Sequence, residues 1–205
     1  MVTHREEIAR AVAVIEAVDA LEAEHQGAVL EWIESGDELY RLVPPDQPPM
    51  YLVSYFVPFD PLSGSVLLAA HRKSGLVLPP GGHCEPGELP WQTVERECIE
   101  ELGIPAVALP WLDCAPLFVT VTETQGSVVR RHTDVSLWHA IAVERGDERL
   151  HPDPGEFDGV RWLTFDEVLA EPIERLDPHM HRFARKLRAA FSTAADRDRH
   201  GASGA

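Results

Sequence analysis

The chain has 205 residues, 44% hydrophobic and 25% charged, which is enough to bury a sizeable core and excludes wholesale disorder. Its 34 acidic residues against 18 Lys and Arg residues give a formal net charge of −16, which argues against binding duplex nucleic acid or an anionic membrane by bulk attraction. No apolar run reaches the ~18 residues that span a bilayer, no signal-peptide pattern is present, and three cysteines make no disulfide framework. These features predict a cytoplasmic protein.

The first 43 residues predict a helical arm. Apolar residues recur at helical spacing over residues 3–24, and Thr3 with Glu6 forms a capping-box pattern. Gly27 interrupts the pattern, and a second, shorter helix is expected over residues 28–35, ended by Gly36. The apolar stripe of the arm needs a partner, and two partners stay open: the main domain of the same chain, or a second copy in a homodimer.

The proline-rich residues 44–49 predict a linker, because proline fixes φ and lacks a backbone donor. The main domain is expected over residues 50–194 and a disordered, polar tail over residues 195–205. Within the domain, strand patterns occur at residues 50–59, 65–71, 76–82, 112–122, 132–144 and 159–165. Helices are expected at residues 90–102, near 166–170 and at 178–194. This alternation predicts a layered α/β fold.

Three glutamates in the helix predicted for residues 90–102 point to a metal site. Glu97, Glu100 and Glu101 are related by i,i+3 and i,i+4 spacing and therefore share one face. Such crowding is unfavourable unless a cation neutralises it, and Mg²⁺ prefers carboxylate oxygens. Arg96 borders the same face and can hold a carboxylate by a forked hydrogen bond. The glycine-rich loop before the helix can bring Glu88 to this cluster.

Residues 82–104 resemble the Nudix box, G-x5-E-x7-R-E-U-x-E-E-x-G-U, where U is apolar. All nine defined positions are filled, and they are Gly82, Glu88, Arg96, Glu97, Cys98, Glu100, Glu101, Gly103 and Ile104. The one unusual residue is Cys98, which behaves as a small hydrophobe and is expected to pack against the sheet. A cysteine nucleophile, as in the isopentenyl diphosphate isomerase branch, fits poorly, because the box of that branch is degraded and this one is complete.

The resemblance implies an α/β/α sandwich with a mixed sheet and an enzyme that uses Mg²⁺ or Mn²⁺. The reaction it implies is hydrolysis of a phosphoanhydride in a nucleoside diphosphate linked to another group. The metal ligands it implies are Gly81, through its carbonyl, Glu97, Glu100 and Glu101. The catalytic set it implies is Glu88, Arg96, Glu97 and Glu101, in which Arg96 and Glu88 orient the other carboxylates. The water-activating base is either Glu97 or a distal carboxylate, for which Glu123 and Glu156 are candidates.

Substrate-binding residues are expected in two further segments. His71, Arg72 and Lys73 follow a strand, and Arg72 is our candidate for contacting substrate phosphate. In the strand over residues 132–144, alternation places four polar or aromatic side chains on one face: His132, Asp134, Ser136 and Trp138. We expect His132, Asp134 and Trp138 to line the substrate cleft, with Trp138 stacking on a base.

The resemblance does not identify the substrate. The proline typical of ADP-ribose hydrolases and the tyrosine typical of dinucleoside polyphosphate hydrolases are both missing from residues 119–122, and the coenzyme A signature is missing too. A small nucleotide, with nucleoside triphosphates as the default, is the leading expectation. The alternatives are an RNA 5′-end pyrophosphohydrolase, which the negative charge disfavours, and a Nudix-fold nucleotide sensor without turnover, which the complete box disfavours.

Overall fold

The computed structural model describes residues 2–42, 48–123 and 132–201. Its helices are α1 (His4–Ala13), α2 (Ala20–Ser35), α3 (Pro90–Leu102), α4 (Phe165–Ala170) and α5 (Met180–Gly201), with a 3₁₀ turn at Ile173–Arg175. Its strands are β1 (Met50–Asp60), β2 (Ser65–His71), β3 (Val77–Leu78), β4 (Gly81–His83), β5 (Phe118–Glu123), β6 (Thr133–Ala142) and β7 (Phe157–Thr164). None of the helices in these residues is both long and apolar enough to cross a membrane.

The strands form one mixed sheet in the order β3-β2-β1-β6-β5, with β7 paired to β2 and β4 paired to β1. The long central strand β1 runs parallel to β6 over its whole length. It pairs with β2 only next to their connecting turn, at Phe59 and Asp60. The rest of that edge of β1 is therefore open to the short strand β4, which pairs with residues 53–55. This pairing fixes the start of the box loop against the centre of the sheet.

Helices cover both faces of the sheet, which confirms the expected α/β/α sandwich. On one face, Phe56 and Ile141 pack with the apolar side of α3. On the other face, β1, β2 and β6 pack with α4 and with the stripe of α5 that contains Phe183 and Leu187. Because side chains alternate along each strand, every central strand contributes to both cores.

The N-terminal arm packs on the main domain of its own chain. Ile8, Val12 and Ile33 are buried together with residues of β1, β5 and β6. The Thr3–Glu6 capping box is confirmed at the start of α1, and Gly36 ends α2 in the left-handed region.

The expected division of the arm at Gly27 is wrong. The chain breaks between Ala13 and Ala20, where Asp19 caps α2 by accepting a hydrogen bond from the Glu22 amide. Gly27 lies inside α2 with open space around it, so its cost to the helix is only the ~1 kcal/mol of lost propensity.

The C-terminal helix is longer than expected. α5 continues to Gly201, so the disordered tail expected from residue 195 is wrong for residues 195–201. Residues 202–205 lie outside the described residues, as do residues 43–47, which contain most of the expected linker, and residues 124–131 between β5 and β6.

Candidate active site

The box loop passes very close to α3, and glycine makes this approach feasible. A Cβ built on Gly82 would lie 1.9 Å from a carboxylate oxygen of Glu97, and one on Gly81 would lie 2.2 Å from the backbone carbonyl of Ser54. Gly81 also has a φ of 144°, which L side chains rarely adopt. Helix α3 then starts with Pro90 and ends at Gly103 in the left-handed region. The loop and helix together hold the box carboxylates beside β4.

Arg96 connects the carboxylates of the box. Its Nε and Nη2 donate to the two oxygens of Glu88 at 2.9 and 3.1 Å. Its Nη1 donates to Glu97 at 2.7 Å and to Glu100 at 3.2 Å, and Nη2 also donates to the carbonyl of His83 at 3.0 Å. These carboxylates, Glu88 first, raise the pKa of Arg96, so the guanidinium stays charged and holds them in fixed positions.

Both carboxylate oxygens of Glu88 accept hydrogen bonds. Besides Arg96, it accepts hydrogen bonds from the Glu85 amide at 2.9 Å and from the Thr93 hydroxyl at 2.8 Å. Burial opposes its ionisation, but these bonds, Arg96 first, outweigh burial and lower the pKa of Glu88. Glu88 is therefore ionised and suited to orienting Arg96.

The surroundings of Glu97 and Glu101 disfavour the ionised form of both carboxyl groups. Burial and then repulsion from Glu97 raise the pKa of Glu101 to about 8, although Glu101 accepts a 2.8 Å hydrogen bond from the Gly81 amide. Burial also raises the pKa of Glu97, against the lowering effect of Arg96. A bound cation would reverse both shifts, because it stabilises the ionised carboxylates.

The three helix glutamates line one cavity of about 440 Å³. The other residues that line it are His71, Lys73, Gly81, Gly82, His83, Asp153 and Glu156. The three carboxylates offer oxygen atoms, which are the donors that Mg²⁺ and Mn²⁺ prefer. Together with the raised pKa values, this donor set fits a divalent cation. The Gly81 peptide, expected to supply a further ligand, lies in the same cavity.

The predicted phosphate contact at Arg72 is not brought to the cavity. Arg72 is about half exposed, and its Nε donates to Asp158 at 2.8 Å. Its neighbour Lys73 lines the cavity instead and is paired with Glu156 at 2.9 Å. Both residues lie in the turn after β2, so the sequence located the segment but not the residue that lines the cavity.

Of the two distal carboxylates, Glu156 is at the cavity and Glu123 is not among its lining residues. Glu123 is the last residue of β5. Asp153, which also lines the cavity, was missed by the sequence analysis. Its backbone amide donates to the carbonyl of Glu101 at 2.8 Å, which joins this loop to the end of α3. No motif surrounds Asp153 that could have identified it.

The polar face of β6 is divided between a cluster beside His83 and the core, and neither His132 nor Asp134 is among the lining residues of the cavity that contains the helix glutamates. His132 and Asp134 lie 3.3 Å apart next to His83, and one ligand-type atom from each of these three side chains falls within 4.8 Å of the others. Trp138 is fully buried between Phe183 of α5 and the sheet, and its indole donates to Thr120 at 3.0 Å. The prediction that Trp138 stacks on a substrate base is therefore wrong.

The cysteines near the box are inert in this structure. Cys98 is fully buried against the sheet as expected, and burial raises its pKa to about 12. Cys84 is also buried, and burial raises its pKa as well. Neither side chain provides the thiolate that a nucleophile requires.

Two further cavities lie outside the one already described. One of about 360 Å³ is lined by residues of the box loop, by Glu97 and by Arg41 of the N-terminal arm, which the sequence analysis missed because no motif surrounds it. A larger, mainly apolar groove of about 560 Å³ lies between the arm and α5. It contains none of the box residues, so the chemistry belongs to the smaller cavities.

Comparisons with known proteins identify the same segment. The family model described as the NUDIX domain matches residues 50–187, more than half of the chain. Similar solved structures include a NUDIX-family hydrolase from Clostridium perfringens (19% identity, TM-score 0.50, covering 70% of this chain and 97% of that one). An Ap4A hydrolase from C. elegans is 19% identical with a TM-score of 0.54, and the match covers 69% of this chain and 98% of that one. A MutT protein from Methanosarcina mazei Go1 is 18% identical with a TM-score of 0.53, and the match covers 70% of this chain and 96% of that one. No curated protein matches in sequence. At these identities, the structural likeness shows the fold alone.

Proposed function

Because this chain belongs to the NUDIX family, whose members hydrolyse pyrophosphate bonds, we propose that it is a divalent-metal-dependent hydrolase of a small nucleotide. The bond it cleaves is a phosphoanhydride in a nucleoside diphosphate linked to another group. The observation that carries the proposal is the convergence of Glu97, Glu100 and Glu101 on one cavity that Lys73 also lines. Carboxylates for a metal and a cation for phosphate are the groups that phosphoryl transfer needs.

Glu97, Glu100, Glu101 and the Gly81 peptide would hold Mg²⁺ or Mn²⁺. A bound cation supplies neutralisation of the negative charge that develops on the phosphate oxygens. The raised pKa values of Glu97 and Glu101 support this role, because burial disfavours the ionised carboxylates and a bound cation would favour them.

The remaining residues position groups and move one proton. Arg96, held by Glu88, keeps Glu97 and Glu100 in place by hydrogen bonds of 2.7 and 3.2 Å. Fixed geometry matters here, because catalysis of phosphoryl transfer rests on positioning and charge stabilisation. Lys73 faces the cavity and would contact a phosphate oxygen.

Two carboxylates are candidates for accepting the proton of the attacking water. Burial raises the pKa of Glu97, which makes it a better base than an exposed carboxylate. Glu156 lies at the same cavity, ion-paired with Lys73. The pH profiles of Glu97→Gln and Glu156→Gln separate them: loss of the base removes the acidic limb of the rate profile, and loss of a positioning residue leaves that limb in place.

The proposal is tested by incubating the purified protein with Mg²⁺ or Mn²⁺ and a substrate panel. The panel contains nucleoside triphosphates, nucleotide sugars, ADP-ribose, NADH, diadenosine polyphosphates and 5′-triphosphorylated RNA. We expect release of phosphate or nucleoside monophosphate that EDTA abolishes. The double variant Glu97→Gln/Glu101→Gln should lower the rate by at least about 100-fold.

The matched control is Glu95→Gln, because Glu95 lies on the same helix but is exposed and lines neither cavity of the box. It should retain the rate of the unmodified protein. Nucleotide binding without turnover across the panel would contradict the proposal and support a sensor. Activity that survives both EDTA and the double variant would also contradict it.

A further inference from the structure

The end of the N-terminal arm is fixed beside the box loop. Leu39 is buried, and its carbonyl accepts a 2.8 Å hydrogen bond from the amide of Leu52 in β1. The Tyr40 hydroxyl donates to the carbonyl of Glu88 in the box loop at 3.1 Å. Leu39 and Tyr40 therefore fix the end of the arm to β1 and to the box loop. These contacts also fix the backbone of the residue that follows, residue 41.

That next residue is Arg41, and its guanidinium enters the site. The guanidinium carbon lies 5.9 Å from the centre of the Tyr51 ring, and Nη1 lies 3.5 Å from Nδ1 of His83. Arg41, His83 and Glu97 line the 360 Å³ cavity, and His83 and Glu97 also line the 440 Å³ cavity of the helix glutamates. The two cavities meet at His83 and Glu97, and Arg41 lines one of them while Lys73 lines the other.

Two guanidinium groups and two carboxylates line this second cavity, those of Arg41, Arg96, Glu85 and Glu97. Arg96 donates to three carboxylates of the box and to one carbonyl, and these bonds hold it in the box. A guanidinium offers a planar set of donors that matches a phosphate group. A substrate with two or more phosphates would extend from the glutamates into this cavity, where Arg41 supplies positive charge.

The neighbouring His83, His132 and Asp134 could instead suggest a second metal site. The position of Arg41 argues against it. A metal-binding histidine donates its other ring N–H to an acceptor. Arg41 can only donate, so Nδ1 of His83 must be the acceptor and its proton lies on Nε2. Nδ1 then uses its lone pair on Arg41, and Nε2 has none for a metal.

We infer that Arg41 binds a substrate phosphate on the side of the scissile bond away from Lys73, so that the N-terminal arm completes the substrate site. The inference rests on the proposed function. It goes beyond the family match, because residue 41 precedes the matched segment, which begins at residue 50. It also gives the arm a role in substrate recognition in addition to its packing on the sheet.

The test compares Arg41→Ala, Arg41→Lys and the control Arg188→Ala, whose side chain is exposed and paired with Asp166 on another surface. Kinetics use the substrate that the panel identifies. Binding is measured by titration calorimetry with methylenebisphosphonate, a non-hydrolysable P–C–P probe, in the presence of Mg²⁺. We expect Arg41→Ala to lower kcat/KM and probe affinity by about 10- to 100-fold, and Arg188→Ala to change neither.

Two further measurements separate binding from a structural role. Arg41→Lys should recover part of the affinity because it keeps the charge, and millimolar guanidinium should partly restore activity to Arg41→Ala. Unchanged kinetics and probe affinity in Arg41→Ala would overturn the inference. The inference would also be overturned if the loss of activity in Arg41→Ala came with a lower Tm and neither Arg41→Lys nor added guanidinium reversed it. Failure of the unmodified protein to bind the probe would overturn it as well. An unmodified protein that hydrolyses no substrate would refute the proposed function itself, which the panel reports separately.

Discussion

Replacing Gly82 by alanine should abolish activity while leaving the fold intact. The new Cβ would lie 1.9 Å from a carboxylate oxygen of Glu97, so that oxygen must retreat by about 1.5 Å to reach an ordinary contact of 3.4 Å. The atom that must move is the end of a flexible side chain rather than backbone, so the stability cost is small. The 2.7 Å bond from Arg96 to Glu97 is lost in the process.

Displacement of a catalytic group by 1 Å can cost about 100-fold in rate, which corresponds to roughly 2.7 kcal/mol in the barrier. We therefore expect Gly82→Ala to lower kcat by about 100-fold or more and to weaken Mn²⁺ binding measured by electron paramagnetic resonance. Its Tm should stay within a few degrees of the unmodified protein. The matched control is Gly27→Ala in α2, where nothing lies within 4 Å. That change should keep full activity and stabilise the protein by up to about 1 kcal/mol.

A Gly82→Ala variant with unchanged kcat and Mn²⁺ affinity would refute the position or the role of Glu97. A large drop in Tm would show instead that the clash is relieved by movement of the backbone. Both quantities are measured on the same sample, so loss of function and loss of fold are distinguished directly.

Three other perturbations act mainly on stability. Gly81→Ala places a Cβ 2.2 Å from a backbone carbonyl oxygen at a φ of 144°. The free energy of unfolding measured by chemical denaturation should therefore fall by more than about 2 kcal/mol. A fully stable variant would contradict the tight β1–β4 pairing. Lys186→Met removes the counterion of the buried Glu22 carboxylate, which lies 2.6 Å from Nζ of Lys186. The free energy of unfolding should fall by about 3 kcal/mol, and adding Glu22→Gln should recover most of this loss. Losses that simply add in the double variant would contradict the pairing. The pKa of His179 is lowered to about 4 by burial and then by Arg182, so the folded state keeps it neutral, and its contribution to stability is lost as the pH falls from about 6.5 through 4. His179→Gln should flatten the fall in unfolding free energy over that range by about 1–2 kcal/mol, and an unchanged slope would contradict this assignment.

The box could be predicted from sequence because its information is local. Helix α3 begins at Pro90 and is followed by Gly103, as the capping rules predict, and i,i+3 and i,i+4 spacing alone places the glutamates on one face. The spacing also predicted that Arg96 borders Glu100, and the two are 3.2 Å apart.

What the sequence did not reveal depends on which element covers which face. Alternation correctly predicts that Asp134 and Trp138 share a face of β6, but it contains no sign that α5 covers the half with Trp138. Likewise, apolar residues continue at helical spacing past Ile15, although Asp19 starts a new helix. Periodicity reports the pattern of one segment, whereas a break or a covered face is decided by packing between segments that are distant in sequence.

The same reasoning explains why the sequence did not identify the substrate. The residues proposed to hold the metal come from one short stretch. Those that flank the two cavities come from distant segments: Lys73 after β2, Glu156 before β7 and Arg41 at the end of the arm. The sequence offered Glu156 only as one of two candidates and favoured Arg72 over Lys73, and it gave no sign of Arg41, because a charged surface residue needs no motif.

The arm is tied to the rest of the chain at the start of α2 and again at its C-terminal end, which connects the proposed substrate contact to the stability of the C-terminal helix. Near the start of α2, Asp19 and Glu22 pair with Arg182 and Lys186 of α5 at 2.5 and 2.6 Å. At the other end, the carbonyl of Leu39 holds the chain on β1. If Arg41 binds phosphate, loosening the α2–α5 pairs should therefore raise KM before it unfolds the sheet, because the arm can shift while the box glutamates stay in place.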